Sequence, residues 1–345
     1  MLRAFELAQG SFPTHPNPRV GAVVVNTSGE VVGEGNHAGP GHDHAEVVAL
    51  SRAGAAAKGS TVYVSLEPCD HHGITRPCTD ALVEAKVGRV VVAIVDPDSQ
   101  VSGQGIDHLR ELGIDVVVLD DSEGARRVDP AYFHHRETGL PLVTIKWAMT
   151  LDGAVAAEDG SSQWITSDDA RQEAHEIRAH SDAIVIGAGT LRQDDPLLTA
   201  RAPAFRDWPQ PTPVVVAGVG SLPEDRQLWD RDPIVVSASP RQIPRGELVV
   251  VGGEDGKPDP VESCQALADR GLLEVLLEGG PTLAASWWAA DVVAKGVVWV
   301  GSKIGGGVGK PPLLGTFASI ADADVVSIDT VRNVGGDVLI TFEKK

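Results

Sequence analysis

Three residues, His44, Cys69 and Cys78, restrict the possible folds of this chain more than any other feature of its sequence. An imidazole and two thiolates are good zinc ligands, and three protein ligands leave a fourth position for water, as in catalytic zinc sites. Because a tetrahedral zinc holds its ligands within about 4 Å of one another, a metal here requires three separate segments to meet at one point. The pattern therefore predicts a domain built around that point.

Glu46 lies two residues after His44, and a proline directly precedes Cys69. A His-x-Glu motif followed by Pro-Cys is the signature of zinc deaminases, in which the glutamate moves protons and does not bind the metal. Glu46 is thus predicted to be catalytic. An alternative stays open, because His71 or His72 could complete a purely structural zinc site. The gap between the cysteines is longer than the usual two residues, and the longer loop could hold different substrate contacts.

The apolar periodicity predicts that His44 and Glu46 open a helix that ends before Gly54. Residues two apart lie about 200° apart around a regular helix, so both side chains can face one metal only in the first turn, where the cap geometry is irregular. A strand over 61–66 would deliver Cys69, and Cys78 would begin the next helix.

Residues 1–121 are predicted to form a three-layer α/β domain, 122–140 a polar connection, and 141–345 a second α/β domain. Strands of the first domain are expected over 20–25, 30–35, 61–66, 89–95 and 114–119. Strands of the second are expected over 142–147, 183–186, 213–217, 233–236, 248–251, 274–277 and 297–300. Helices between them indicate a mostly parallel sheet, and 338–342 is expected to close its edge.

The charge of the chain limits its partners. The chain has 48 acidic and 29 basic residues and a formal net charge of -19, whereas nucleic acids and anionic membranes require clustered Lys and Arg. Only three cysteines occur, and two are assigned to the metal, so no disulfide framework is expected. No apolar run approaches the roughly 18 residues of a membrane span, and the N terminus lacks the apolar core of a signal peptide. We therefore expect a cytoplasmic protein with small-molecule ligands.

The first half of the chain resembles the deaminase half of the bifunctional riboflavin-biosynthesis deaminase/reductase family. The resemblance implies a cytidine-deaminase-like fold, a zinc ion, and a diamino-pyrimidinone nucleotide as substrate, with Asn17 and His37 at substrate-contacting positions. The matching motifs are Asn17-Pro18-Arg19-Val20-Gly21-Ala22-Val23, Gly35, His37, His44-Ala45-Glu46, Leu66-Glu67-Pro68-Cys69-Asp70-His71-His72-Gly73 and Pro77-Cys78.

The second half resembles the reductase half of the same family, which has a dihydrofolate-reductase-like α/β fold and uses NADPH. The two motif sets are unrelated and occur in the family's order. The matching motifs are Lys146, Thr150-Leu151-Asp152-Gly153, Gln163-Trp164-Ile165-Thr166, Arg178, Asp194-Asp195-Pro196 and Leu277-Glu278-Gly279-Gly280-Pro281-Thr282.

The resemblance also implies individual roles in the reductase half. NADPH contacts are expected from Ala148, Trp164, Thr190, Asp194, Gly280, Pro281, Thr282 and Leu283, and substrate contacts from Ser162, Arg178, Leu198, Arg201 and Glu278. Lys146 and Asp152 belong to further reductase motifs. These assignments are physically reasonable, because glycines before a helix expose backbone donors to a phosphate and the two arginines can grip a phosphate bidentately.

One position departs from the family pattern. Ile74 stands where the family usually has a basic residue suited to the substrate phosphate, and Arg76 follows two places later. We expect Arg76 to make the phosphate contact. The alternative is a deaminase that accepts a differently phosphorylated or an unphosphorylated pyrimidine.

Two other functions remain open at this point. The first is a zinc deaminase of another nucleobase or nucleotide, joined to a reductase-like domain that does not catalyse. The second is a zinc-stabilised scaffold with a vestigial site. The resemblance also implies a homo-oligomer, and the apolar strand over 338–342 could contribute to a subunit contact.

Overall fold

The computed structural model describes residues 1–10, 14–73, 75–307, 309–315 and 318–345. These residues divide into two compact units, Met1–Gly139 and Leu140–Lys345, each with its own sheet. The segment predicted as a connection, 122–140, forms two helices and is grouped with the first unit up to Gly139. Within the described residues, no helix is both long and apolar enough to cross a membrane.

The first unit is a five-stranded sheet covered by helices, so the predicted three-layer α/β architecture is confirmed. Its strands are β1 (Gly21–Val25), β2 (Val31–Asn36), β3 (Thr61–Val64), β4 (Arg89–Val92) and β5 (Asp115–Val118). Its helices are α1 (Leu2–Gln9), α2 (Ala45–Ala53), α3 (Cys78–Glu84), α4 (Gln104–Glu111), α5 (Ser122–Val128) and α6 (Pro130–Thr138). The strand order is β2-β1-β3-β4-β5, in which β1 is antiparallel to both neighbours and β3, β4 and β5 are parallel.

Glycines in β2 bring α2 directly onto the sheet. A Cβ atom on Gly33 would lie 2.1 Å from the carbonyl oxygen of Ala49, and one on Gly35 would lie 2.2 Å from that of Ala45. No side chain can occupy either position without moving the helix. The two glycines therefore fix how closely the N terminus of α2, with His44 and Glu46, approaches the sheet.

The second unit contains a nine-stranded sheet. Its strands are β6 (Leu142–Thr150), β7 (Ala183–Gly187), β8 (Thr212–Ala217), β9 (Ile234–Ser237), β10 (Glu247–Val250), β13 (Glu274–Leu277), β14 (Val293–Gly301), β15 (Val326–Val334) and β16 (Asp337–Lys344), with the small hairpin β11 (Gly253–Glu254) and β12 (Lys257–Pro258). Its helices are α7 (Asp168–Ala179), α8 (Ala188–Asp194), α9 (Pro260–Ala268) and α10 (Pro281–Ala289). The order is β10-β9-β8-β7-β13-β6-β14-β16-β15. Seven of its strands, those from β10 to β14 in this spatial order, are parallel.

The edge of this sheet differs from the prediction. The expectation that 338–342 closes the edge is wrong, because β16 pairs with β14 on one side and with β15 on the other. The sequence pattern conceals β15 because a register shift between Ile328 and Thr330 interrupts the alternation of apolar residues. Valines and isoleucines of the central parallel strands are almost fully buried on both faces, as a sheet covered by helices requires.

Candidate active sites

The three predicted metal ligands reach one point from three different elements. His44 caps α2 with an extended backbone, Cys69 lies in the loop after β3, and Cys78 is the first residue of α3. The Nδ1 atom of His44 is 3.2 Å from Sγ of Cys78 and 3.4 Å from Sγ of Cys69. All three ligand atoms lie within 4.8 Å of one another. The three segments therefore meet as a metal site requires.

The geometry of these atoms fits zinc. Bonds of about 2.3 Å to sulfur and 2.0 Å to nitrogen at tetrahedral angles place a sulfur and a nitrogen about 3.5 Å apart. The other ring nitrogen of His44, Nε2, lies 3.3 Å from Oγ1 of Thr75, and a contact of this kind fixes the orientation of a ligating imidazole. Three ligands leave the fourth tetrahedral position for a water molecule.

The donor chemistry also fits, because zinc binds thiolates. A hydrogen bond from Cys78, assisted by His44, lowers the pKa of the Cys69 thiol to about 4. The same pairing, together with burial, raises the pKa of Cys78. The contacts therefore favour the thiolate form of Cys69, and cysteine binds zinc as a thiolate.

The geometry does not support a fourth protein ligand. Among the described residues, the His, Cys and acidic side chains close enough to share an ion are His44, Cys69 and Cys78. His71 and His72 are exposed and lie outside this group. The arrangement matches a site with an open position rather than a closed structural site.

Glu46 lies in the first turn of α2 beside the metal ligands, and only 3% of it is exposed. The extended cap conformation of His44 meets the constraint that both side chains face one point. Burial, with the neighbouring Cys69, raises the pKa of Glu46 to about 7, and its carboxyl interacts with the Cys78 thiol. A carboxyl that titrates near neutrality can both accept and donate a proton.

Asn17 and His37 lie beside the metal ligands. The ring of His37 contacts that of His44 edge-on, with centroids 4.9 Å apart, and its Nε2 is 3.0 Å from Nδ2 of Asn17. Its Nδ1 is 3.2 Å from the carbonyl oxygen of Asp43. Burial lowers the pKa of His37, so its ring is neutral at pH 7.

The segment between the cysteines is held at both ends. Asp70 accepts a hydrogen bond of 2.5 Å from Oγ1 of Thr79 and lies 2.6 Å from Nδ1 of His108. Arg76 is exposed and forms an ion pair of 2.7 Å with Glu84 of α3. Ile74, the position that departs from the family pattern, lies outside the described residues.

The second unit contains a separate cavity of about 900 Å³ at the carboxyl ends of its parallel strands. Open α/β sheets bind their ligands at this edge. All but one of the predicted reductase residues line the cavity, namely Lys146, Ala148, Ser162, Trp164, Arg178, Thr190, Asp194, Leu198, Arg201, Glu278, Gly280, Pro281, Thr282 and Leu283. The exception, Asp152, accepts hydrogen bonds from the backbone of Gly305 and Gly306 at 3.1 and 2.8 Å and so holds a neighbouring turn.

A buried ion cluster forms part of the cavity wall. The carboxylate of Glu278 accepts two hydrogen bonds from Arg178, at 2.7 and 2.8 Å, and its Oε2 is 3.7 Å from Nζ of Lys146. Burial acts to raise the pKa of Glu278, but the charges of Arg178 and Lys146 hold it below its usual range. The guanidinium fork of Arg178 therefore faces Glu278, whereas the sequence predicted that it would grip a phosphate.

Arg201 is one of two arginines lining the cavity, with Arg192, for which no ion pair to a carboxylate is found among the described residues. It donates to Oγ1 of Thr199 at 2.7 Å, and no acidic partner is found for it in the described part of the chain. Burial and the charge of Arg178 lower its pKa. Four other cations line the cavity and belong to no motif found in the sequence, namely Arg171, Arg192, Lys257 and Lys310.

Comparison with known proteins agrees with both sites. Residues 1–94 match the family model described as cytidine and deoxycytidylate deaminase zinc-binding region, and residues 141–338 match the RibD C-terminal domain. Riboflavin biosynthesis protein RibD of Mycobacterium tuberculosis is 40% identical over 95% of this chain and 91% of its own length. RibD of Escherichia coli is 36% identical over 99% of this chain and 97% of its own.

Solved structures give the same result. RibD of Acinetobacter baumannii superposes with a TM-score of 0.92 at 30% identity, covering 100% of this chain and 97% of that chain. A Thermotoga maritima protein, described as a diaminohydroxyphosphoribosylaminopyrimidine deaminase/5-amino-6-(5-phosphoribosylamino)uracil reductase, superposes with a TM-score of 0.89 at 30% identity and the same coverage. The expected cytidine-deaminase-like and dihydrofolate-reductase-like domains are thus confirmed. The chain belongs to the RibD family of bifunctional riboflavin-biosynthesis proteins, which join a zinc-binding deaminase domain to an NADPH-using reductase domain.

Proposed function

We propose that this chain catalyses two successive steps of riboflavin biosynthesis. The first unit hydrolyses the 2-amino group from 2,5-diamino-6-ribosylamino-pyrimidinone 5'-phosphate. The second unit reduces the ribosyl side chain of the product to ribityl with NADPH, which gives 5-amino-6-ribitylamino-uracil 5'-phosphate. The observation that carries the proposal is the convergence of His44, Cys69 and Cys78 around one point with Glu46 buried beside them.

In the deaminase site, His44, Cys69 and Cys78 are the zinc ligands and Glu46 moves the proton. Zinc bound in this way supplies a water molecule whose pKa is near neutrality. The Glu46 carboxylate accepts a proton from the attacking water and delivers it to the amino group that leaves as ammonia. Burial raises the pKa of Glu46, which favours its taking up the proton, and the same burial keeps bulk water from competing for that proton.

Asn17 and His37 are the residues that position the pyrimidine. Their side chains meet at 3.0 Å and the ring of His37 lies against that of His44, so a base held by them would be next to the metal position. The neutral state of His37 supports a hydrogen-bonding role rather than an electrostatic one.

In the reductase site, the residues that line one part of the cavity hold the cofactor. NADPH supplies the hydride. Gly280, Pro281 and Thr282 form the N terminus of α10, whose free backbone N–H groups suit the diphosphate. The remaining cofactor contacts are Ala148, Trp164, Thr190, Asp194 and Leu283.

The buried cations beside Glu278 serve the reduction itself. Hydride transfer to a carbonyl carbon leaves negative charge on its oxygen, and fixed positive charges in a secluded cavity stabilise that charge. Lys146 and Arg178 are placed for this by their contacts with Glu278. Arg201 then carries the phosphate, and Ser162 and Leu198 complete the substrate contacts. Asp152 acts indirectly, by holding the turn at Gly305.

The first prediction concerns the metal. Replacing a ligand in Cys78→Ala should lower zinc affinity more than 100-fold, because even loss of a residue that only supports a ligand costs 10- to 100-fold. Zinc content after dialysis, measured by elemental analysis, tests this. Cys264→Ala is the matched control, since Cys264 is buried in the second unit, and it should retain one zinc per chain. Full zinc in Cys78→Ala would exclude this ligand set.

The second prediction separates the two activities. Glu46→Gln keeps the size of the side chain but removes its proton-accepting capacity, so ammonia release should fall at least 100-fold while bound zinc is retained. NADPH oxidation on the already deaminated ribosylamino-uracil phosphate should be unchanged in the same variant. Both rates are read from one preparation, by ammonia assay and by absorbance of NADPH.

Each result in that experiment distinguishes one alternative. Retained ammonia release in Glu46→Gln would refute the proton-transfer role of Glu46. Absence of NADPH oxidation by the wild-type chain on the deaminated substrate would leave a deaminase with a reductase-like domain that does not catalyse.

The third prediction concerns the phosphate in the deaminase site. Arg76→Ala should raise the KM for the phosphorylated substrate about tenfold, the effect of losing one exposed charge-assisted contact. Glu84→Gln is the control, because it removes the ion-pair partner of Arg76 and leaves the guanidinium free for a phosphate. Equal KM values for Arg76→Ala and the wild-type chain would contradict the assignment.

The fourth prediction concerns assembly. We propose a homo-oligomer formed through β15, because this nine-residue strand ends the sheet among the described residues, and its outer edge is a template for strand pairing. Ile328 and Val331 are each 61% exposed on it. Light scattering should give a mass of at least two 36.1 kDa chains, and Ile328→Lys should lower it. A wild-type mass of one chain would contradict the proposal.

The surroundings of the protein are also part of the proposal. All three cysteines are free thiols, which supports a reducing cytoplasm. The net charge of -19 supports the absence of a nucleic-acid partner. Recovery of the protein from a membrane or periplasmic fraction, or its retention on nucleic acid at physiological salt, would contradict these two statements.

A further inference from the structure

We propose that α6 is part of the deaminase site and that Asp129, which caps it, is a positioning residue for the substrate-binding loop. The substrate loop is defined here as residues 14–19. The proposal rests on the deaminase function given above and adds to it a residue that lies more than 50 positions after the last zinc ligand, in a segment that looks like a connection in the sequence.

Asp129 holds the substrate loop through a buried ion pair and a backbone contact. Its Oδ1 atom is 2.9 Å from Nε2 of His15, and the two side chains are only 2% and 0% exposed. Its Oδ2 accepts a hydrogen bond of 2.8 Å from the backbone N–H of Arg19. Because His15 and Arg19 stand on either side of Asn17, one carboxylate fixes both ends of the tip of the loop.

The same carboxylate starts the helix. Asp129 accepts a hydrogen bond of 3.1 Å from the backbone N–H of Tyr132 in the first turn of α6, as a good N-cap residue does. Both carboxylate oxygens therefore contact the loop, and Oδ1 also contacts the helix. The position of the loop is tied to the position of α6.

The tip of the loop transmits this position to the active site. Asn17 is folded back by hydrogen bonds with Thr14, one between the Asn17 N–H and the Thr14 carbonyl at 3.1 Å and one from Oγ1 of Thr14 to the Asn17 carbonyl at 2.9 Å. Its side chain is then 3.0 Å from His37, whose ring contacts His44. A shift of the loop would move Asn17 relative to the metal position.

A second contact connects α6 to the segment that carries Cys69. The hydroxyl of Tyr132 donates to Oδ1 of Asp96 at 2.9 Å, and the backbone N–H of Asp96 donates to Glu67 at 3.1 Å. Glu67 stands two residues before Cys69. Helix α6, with its cap Asp129, thus contacts the substrate loop and, through Asp96 and Glu67, the segment that carries Cys69. We therefore assign it a positioning role in the site.

Removing the carboxylate should act on substrate binding. In Asp129→Ala, the buried ring of His15 and the backbone N–H of Arg19 lose the contacts that the carboxylate makes with them, and the loop is no longer tied to α6. Displacement of a positioning group by about 1 Å can cost up to 100-fold in rate or affinity, so we expect the deaminase KM to rise at least tenfold. The zinc ligands lie on other elements, so zinc content should not change.

The experiment uses the full-length chain and four variants. Asp129→Ala removes both acceptor oxygens, whereas Asp129→Asn keeps one of them but turns an N–H donor toward a backbone N–H, so its KM should lie between those of the wild-type chain and Asp129→Ala. His15→Phe keeps a ring but loses the hydrogen bond and should raise KM several-fold. Glu137→Ala is the matched control, because Glu137 is an exposed carboxylate on the same helix. Each preparation is assayed for ammonia release, bound zinc and NADPH oxidation on the deaminated substrate.

The outcomes are distinguishable. A raised deaminase KM in Asp129→Ala and His15→Phe, with zinc and reductase activity at wild-type levels, supports the proposal. An unchanged KM in both variants overturns it while the wild-type deaminase activity keeps the proposed function intact. If Asp129→Ala also loses zinc, the KM of His15→Phe decides: a raised KM supports the proposal, and an unchanged KM overturns it. A wild-type chain without ammonia release would remove the proposed function and this inference together.

Discussion

The metal-ligand geometry of the first unit depends on one buried carboxylate, that of Glu67. Only 4% of this residue is exposed, and it accepts hydrogen bonds from four backbone N–H groups, those of Asp96, Gly103, Gly105 and Ile106, at 2.9 to 3.3 Å. A buried carboxylate without such partners would be strongly destabilising. The strand end that carries Cys69 is therefore locked to the start of α4. A Cβ on Gly105 would lie 1.9 Å from the carbonyl oxygen of Pro68, so this lock also requires a glycine.

The second unit uses buried charge differently. Lys146, Arg178 and Glu278 are each less than 20% exposed in their side chains, and together they carry two positive charges and one negative. One positive charge of this cluster is therefore left without a carboxylate partner within the cluster, and Arg201 adds a further positive charge to the cavity. Such a cavity favours anionic ligands, because desolvated like charges lose much of their repulsion when an anion binds between them. Both ligands proposed for it, NADPH and a sugar phosphate, are anions.

The sequence was sufficient for features encoded locally. The convergence of His44, Cys69 and Cys78 could be predicted because zinc chemistry restricts its ligands to few residue types in a short motif. The helix after His44 could be predicted because its apolar periodicity is regular. The sequence was insufficient where a feature depends on contacts between residues far apart in the chain. Asp129 looks like a helix cap in a connection, and its contact with Arg19 spans 110 positions that no local pattern relates. The strand β15 was missed because its bulge breaks the alternation on which strand prediction depends.

The unusual spacing of the cysteines is best understood from the same contacts. Asp70, directly after Cys69, is bonded to Thr79, directly after Cys78, so the two ends of the inserted segment are fixed to each other. Additional residues between fixed ends cannot move the sulfur atoms and must instead form a wider loop. Thr75 of that loop lies 3.3 Å from the ring of His44. The longer spacing is therefore compatible with the convergence of His44, Cys69 and Cys78, and it brings the side chain of Thr75 next to His44.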